Sequence, residues 1–134
     1  MKMRIFIQNK LWRDKSVELT EAQGSKVYWQ RLDDLEYDKQ LRLKLLEEAQ
    51  EVSRAKTDNE LISECADVLE VIHALCIIHN IDMDQIIAVQ HKKRQEKGGF
   101  DERKFVIKAA HPKGSYGEQY CLADPEKYLE AIED

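Results

Sequence analysis

The chain has 134 residues, enough for one domain around a single core and too few for a second large one. Hydrophobic residues make up 43% and charged residues 35%, the balance of a soluble globular protein with heavily solvated helices. The formal charge of −5 offers no broad attraction for nucleic acid polymers or anionic lipid, so a phosphate-bearing ligand has to be met by a local basic cluster or a metal.

No window approaches the roughly 18 consecutive apolar residues of a membrane span. The start Met1-Lys2-Met3-Arg4-Ile5-Phe6-Ile7-Gln8 is too short for a signal-peptide core, and the expectation is a cytoplasmic protein with no membrane partner. Cys65, Cys76 and Cys121 match no Cys-x-x-Cys spacing and read as structural; Cys65 and Cys76 sit among apolar residues as small core side chains.

In chain order, Met3-Arg4-Ile5-Phe6-Ile7 and Lys26-Val27-Tyr28-Trp29-Gln30-Arg31-Leu32 are short β-branched and aromatic runs that can pair as a small sheet. From Asp33 the pattern turns helical, with Leu41, Leu45, Ala49 and Val52 on one face of a segment reaching about Arg54 and capped by Asp33 or Asp34. Thr57-Asp58-Asn59-Glu60 forms a capping box for a second helix running to Asn80. Asp82-Met83-Asp84-Gln85 caps a third, which carries Ile86, Ile87 and Val89, turns basic, and stops at Gly98-Gly99. Beyond Phe100, Lys104-Phe105-Val106-Ile107 and Gln119-Tyr120-Cys121-Leu122 are weak strand candidates, and Asp124-Pro125 opens a short last helix. The expected boundary near Gly98-Gly99 divides residues 1–100 from a C-terminal extension, 101–134, that is not a separate domain.

The chemistry is carried by Glu47-Glu48-Ala49-Gln50-Glu51 on the first of these helices and Glu64-Cys65-Ala66-Asp67 on the second. Each contains an acidic pair spaced three apart, which places both side chains on one helical face about a turn apart. The short connection folds the helices into an antiparallel hairpin, in which residues at equal height have position numbers of constant sum. Glu51 with Glu64 and Glu48 with Asp67 satisfy one such sum, and half of it falls at Thr57-Asp58, where the capping box independently places the turn.

Glu64 also lies among Val68, Val71 and Leu75 on the apolar stripe of its helix. A carboxylate turned toward a core needs a basic partner or a metal, and an all-oxygen set favours magnesium or manganese over zinc. An isolated Glu-x-x-Glu is usually just a solvated face, and Glu36, Glu60 and Glu70 are left to that reading. Two mirrored pairs with one acid on an apolar stripe are a different pattern.

These residues resemble the MazG-like all-α NTP pyrophosphatase superfamily, whose hallmark is Glu-Glu-x-x-Glu followed by Glu-x-x-Asp. A subgroup labelled phosphoribosyl-ATP pyrophosphohydrolase-like is similar also at Leu11-Trp12-Arg13-Asp14-Lys15, Leu32-Asp33-Asp34-Leu35-Glu36-Tyr37, Lys44-Leu45-Leu46, Ala66-Asp67-Val68-Leu69-Glu70-Val71-Ile72 and Lys93-Arg94-Gln95-Glu96-Lys97-Gly98-Gly99-Phe100. The resemblance spans residues 10 to 100 and implies a mainly α fold: an antiparallel helical bundle completed by oligomerisation, with the short strands near both ends. It implies Glu48, Glu51, Glu64 and Asp67 as magnesium ligands, with manganese a substitute, and Glu47 as a catalytic helper beside Glu48.

The implied reaction takes a nucleoside triphosphate, or a modified nucleotide, to the monophosphate and pyrophosphate. Lys44, one turn before Glu48, is the best placed phosphate contact, joined by Arg13, Lys15, Arg94 and Lys97 as substrate-binding candidates. Trp12, Tyr28, Trp29 and Phe100 can stack on a base, although lone aromatics more often pack. His73, His79, His91 and His111 lack ligand spacing and read as structural. The second helix is apolar over more of its circumference than one partner covers, so a homo-oligomer, dimer or tetramer, is expected. The competing readings are a non-catalytic metal- or nucleotide-binding oligomer and a partner-binding module.

Overall fold

The computed structural model describes residues 2–132 and divides the chain into two compact units between Gln95 and Glu96. Its described residues form five α-helices: α1 (Ser16–Glu21), α2 (Asp34–Arg54), α3 (Asp58–Ile78), α4 (Met83–Lys97) and α5 (Tyr116–Leu122). None is long and apolar enough to cross a membrane.

The limits of the long helices follow from their caps. Asp33 is extended and its carboxylate accepts the Glu36 N–H at 2.9 Å, which starts α2. Thr57 does the same for Glu60 at 3.1 Å to start α3, while the Glu60 carboxylate accepts from the N–H of Lys56, one residue farther back than in a standard capping box. At the other end of α3 the Ile81 N–H reaches the Cys76 carbonyl at 2.8 Å and the Asn80 N–H reaches Ile77 at 3.2 Å. This is a Schellman ending with Asn80 in the left-handed position (φ 54°), so the helix stops at Ile78 rather than running to Asn80. Gln85 accepts from the Asp82 N–H and Asp82 from that of Asp84 to start α4, and Gly98 at φ 82° follows its last residue.

Helices α2 and α3 pack against each other as the antiparallel hairpin expected, joined by three residues. Among the described residues Leu41, Val71 and Cys76 are the buried hydrophobic side chains, with Leu45, Val68 and Leu75 half-buried around them. The open end of the hairpin is fastened by Asp38, which accepts from Arg42 at 2.9 Å and pairs with the His79 ring at 2.6 Å. Those hydrogen bonds, Arg42 first and His79 second, hold the Asp38 carboxyl below its ordinary range.

The face of α3 turned away from α2 is also apolar. Ile62, Leu69 and Ile77 remain 68%, 57% and 64% exposed, and Cys65 lies exposed among them. Cys65 is therefore not a core residue as its neighbours suggested: α3 has two apolar faces, and Cys65 is on the uncovered one.

The four strand candidates are corrected by the structure, since no strand occurs among the described residues. In the first two, Arg4 lies over Phe6, Lys26 over Tyr28 and Arg31 over Trp29, at 5.2, 5.1 and 5.4 Å. These same-side pairs two residues apart are those of an extended chain. Extended backbone becomes a strand only when a neighbour completes its ladder, and neither run has one.

In the second unit, residues 119–122 belong to α5 instead. Ser115 caps it by accepting the Glu118 N–H at 3.3 Å, and Glu118 accepts from the Gly114 N–H at 3.0 Å. Gly117 in its first turn leaves room for the His111 ring, which a Cβ there would strike. Residues 124–128 form a turn, with the Lys127 and Tyr128 N–H groups both on the Asp124 carbonyl, in place of the expected last helix. Tyr120 packs between Tyr116 and Tyr128, with ring centres 6.0 and 5.7 Å away.

Candidate active site

The α2–α3 hairpin brings three of the sequence-predicted ligands together. Glu48, Glu64 and Asp67 each offer a carboxylate oxygen within 4.8 Å of the others. Oxygens around an octahedral magnesium ion lie about 2.9–4.2 Å apart at bond lengths near 2.1 Å, so a small side-chain adjustment suffices to share one ion. Glu51 is one turn farther along α2, exposed and outside this triad, although its charge is felt at Glu64.

The cost of gathering these acids is visible in Glu64. Its carboxyl is pushed above the ordinary range by desolvation, then by the charges of Asp67, Glu51 and Glu48, with a hydrogen bond to Asp67 adding to the shift. A cation among them would oppose these contributions and favour the ionised carboxylates. All-oxygen donors, crowding and mutual repulsion are the properties that a hard divalent ion fits.

Positive charge arrives from two directions. Lys44 on α2, with its side chain 18% exposed, lies 3.5 Å from Glu48 and 3.4 Å from Glu47. The N-terminal segment supplies the rest: Lys10 donates to Glu47 at 3.0 Å and Arg13 to Asp67 at 2.6 Å. Burial alone would raise the Glu47 carboxyl, but the hydrogen bond from Lys10 and the charges of Lys44 and Lys10 outweigh it and hold Glu47 low. Glu47 is therefore ionised at neutral pH.

Between this segment and the hairpin lies a pocket of about 300 Å³, lined by Gln8, Lys10, Leu11, Trp12, Arg13, Ser16, Lys44, Glu48 and Asp67. That volume is at the lower end of the range for small-molecule sites, and its lining mixes cations, carboxylates and one large aromatic. Lys44 and Arg13 thus stand at the carboxylates. Lys15 is the exposed N-cap residue of α1 and does not line this pocket, Arg94 is on α4, and Lys97 belongs to the second unit.

Lys10 was missed in the sequence, as were Gln8 and Ser16. The signal available was the three-residue spacing of Lys10 and Arg13, but outside regular structure such spacing assigns no common face. Asn9, at φ 48°, turns the chain immediately before Lys10.

A family model described as phosphoribosyl-ATP pyrophosphohydrolase matches residues 14–94, more than half of the chain and all of α1 to α3 with both acidic motifs. Comparisons with curated proteins and with solved structures found no match. The helical fold, the paired carboxylates and this match agree, and the chain belongs to the phosphoribosyl-ATP pyrophosphohydrolase family of nucleotide pyrophosphohydrolases, within the MazG-like all-α NTP pyrophosphatase superfamily.

Proposed function

We propose that the protein is a magnesium-dependent hydrolase that takes a nucleoside triphosphate, or a modified nucleotide, to its monophosphate and pyrophosphate. The observation that carries this reading is the meeting of Glu48, Glu64 and Asp67 beside a pocket that Lys10, Arg13 and Lys44 also line. Glu48, Glu64 and Asp67, with Glu51 one turn away, would hold the ion, and manganese would serve in place of magnesium. When bound, the ion supplies charge neutralisation for phosphate oxygens and acidifies a water.

The chain's own groups do the remaining work. Lys44 and Arg13 neutralise phosphate oxygens, Arg13 with a guanidinium suited to two of them at once. Glu47, kept ionised by Lys10 and Lys44, accepts a hydrogen bond from the attacking water and orients it. Trp12 in the pocket wall offers a face to the base. All these residues lie in the first unit, to which the catalytic role is assigned.

The second apolar face of α3 supports a homo-oligomer, a dimer or tetramer, as the working form. A monomer with three buried hydrophobic residues among those described, and with Ile62, Leu69 and Ile77 exposed, leaves its central helix half covered. A second copy presenting the same face is the occupant of matching chemistry.

The reaction is tested by measuring pyrophosphate release from a panel of common and modified nucleoside triphosphates, with magnesium or with chelator, for wild type and Glu48→Gln. Magnesium-dependent release that Glu48→Gln loses is the expected result and identifies the base. A folded protein that binds the ion but releases nothing from any triphosphate would overturn the reaction assigned here.

A further inference from the structure

Asp67 belongs to two networks that compete for it. One is the carboxylate triad with Glu48 and Glu64; the other is the ion pair with Arg13 at 2.6 Å. Arg13 comes from residues 8–13, which have no regular secondary structure, and Lys10 of the same segment sits on Glu47. Both side chains are solvent-accessible, at 57% and 42%. Exposed ion pairs of this kind are weak and readily exchanged. The segment also precedes the residues matched by the family model.

We propose that residues 8–13 form a counter-ion strap: Lys10 and Arg13 neutralise the carboxylates while the ion is absent, and binding of a divalent cation at Asp67 turns Arg13 toward the nucleotide's phosphates. The inference rests on the metal reading above. A cation that takes the Asp67 carboxylate removes the partner of Arg13 and places like charge beside its guanidinium. The next anion within the segment's pocket is the phosphate chain of the substrate, for which a guanidinium is a better two-point ligand than an ammonium. Lys10 stays on Glu47 and tethers the segment while Arg13 exchanges. The consequence is ordered binding, with the metal first and the polyphosphate second. No covalent step is involved; only partners change.

Trp12, beside Arg13, reports on the segment. In a Trp29→Phe background it is the sole tryptophan of the chain. Magnesium should increase acrylamide quenching of Trp12 at least twofold. Manganese binding, measured by the electron paramagnetic resonance of the free ion, should tighten at least threefold in Arg13→Gln, because a competitor is gone, and return toward wild type in Arg13→Lys. Inorganic pyrophosphate should bind wild type only with the metal present, and at least tenfold more weakly in Arg13→Gln.

If wild type binds manganese and Glu48→Gln does not, yet Arg13→Gln binds it equally or less tightly, the strap is overturned and the metal site stands. Pyrophosphate binding to metal-free wild type with equal affinity overturns the strap in the same way. Failure of wild type to bind manganese at all overturns both the strap and the metal reading.

Discussion

Leu69 tests the assembly without touching the carboxylates. It lies on the open face of α3 with 57% of its surface exposed, so truncation to alanine removes little from the isolated chain. Fully burying a leucine is worth about 1.5–3 kcal/mol, and with 57% of its surface still exposed, about 0.9–1.7 kcal/mol remains to be gained on association. A two-fold interface contains the residue twice, which makes the loss about 1.7–3.4 kcal/mol and raises Kd about 20- to 300-fold. Sedimentation equilibrium of wild type and Leu69→Ala over a range of concentrations measures this, with circular dichroism confirming that the helices persist. An unchanged Kd refutes the assignment of this face, and a wild type that stays monomeric at every accessible concentration refutes self-association itself.

Glu48→Gln and Asp67→Asn should each lower magnesium-dependent turnover at least 100-fold with the helical signal intact; undiminished turnover in both would remove the metal assignment. Thr57→Ala takes away the acceptor for the Glu60 N–H and should cost about 1 kcal/mol in a urea titration. At Asp38, whose carboxyl is held below its ordinary value of 3.8 by Arg42 and then His79, the stabilisation is complete above that value and drains away as pH falls through the lowered one. The Tm difference between wild type and Asp38→Asn should therefore be present near pH 5 and close as the solution is taken toward about pH 2; a gap that persists in acid contradicts the role given to the charge.

The parts legible in the sequence were those written locally. Asp33 and Thr57 started α2 and α3 where their side chains could accept a nearby N–H, and hairpin arithmetic set Glu48 opposite Asp67 and Glu51 opposite Glu64, four acids of which Glu48, Glu64 and Asp67 meet. What escaped depended on partners distant in sequence or on small local conflicts. The runs at 3–7 and 26–32 have strand composition but no neighbour to pair with. In α5 the capping pattern of Ser115 and Glu118 was masked by Gly117, a poor helix former kept small by the His111 ring. Lys10 meets Glu47 across 37 positions, and nothing in its immediate surroundings announces the encounter. Cys65 shows the same limit in reverse: its neighbours are apolar, but which of two apolar faces is covered is decided by α2.

The double-sided character of α3 also sets how the chain can vary. Around one helix stand the carboxylates Glu64 and Asp67, the buried Val71 and Cys76, and the exposed apolar stripe of Ile62, Leu69 and Ile77. On the function and assembly proposed above, nearly every direction on its circumference would be committed to an ion, a core or a neighbour. A saturation library read out by abundance and activity should find α3 the least permissive helix, with polar replacements at Ile62 and Leu69 penalised much as if those residues were interior. Leu43 and Leu46 on the outer side of α2 should accept far more. A solvent-exposed residue in the single chain would then have the mutational profile of a core residue, and that difference would locate the interface proposed above.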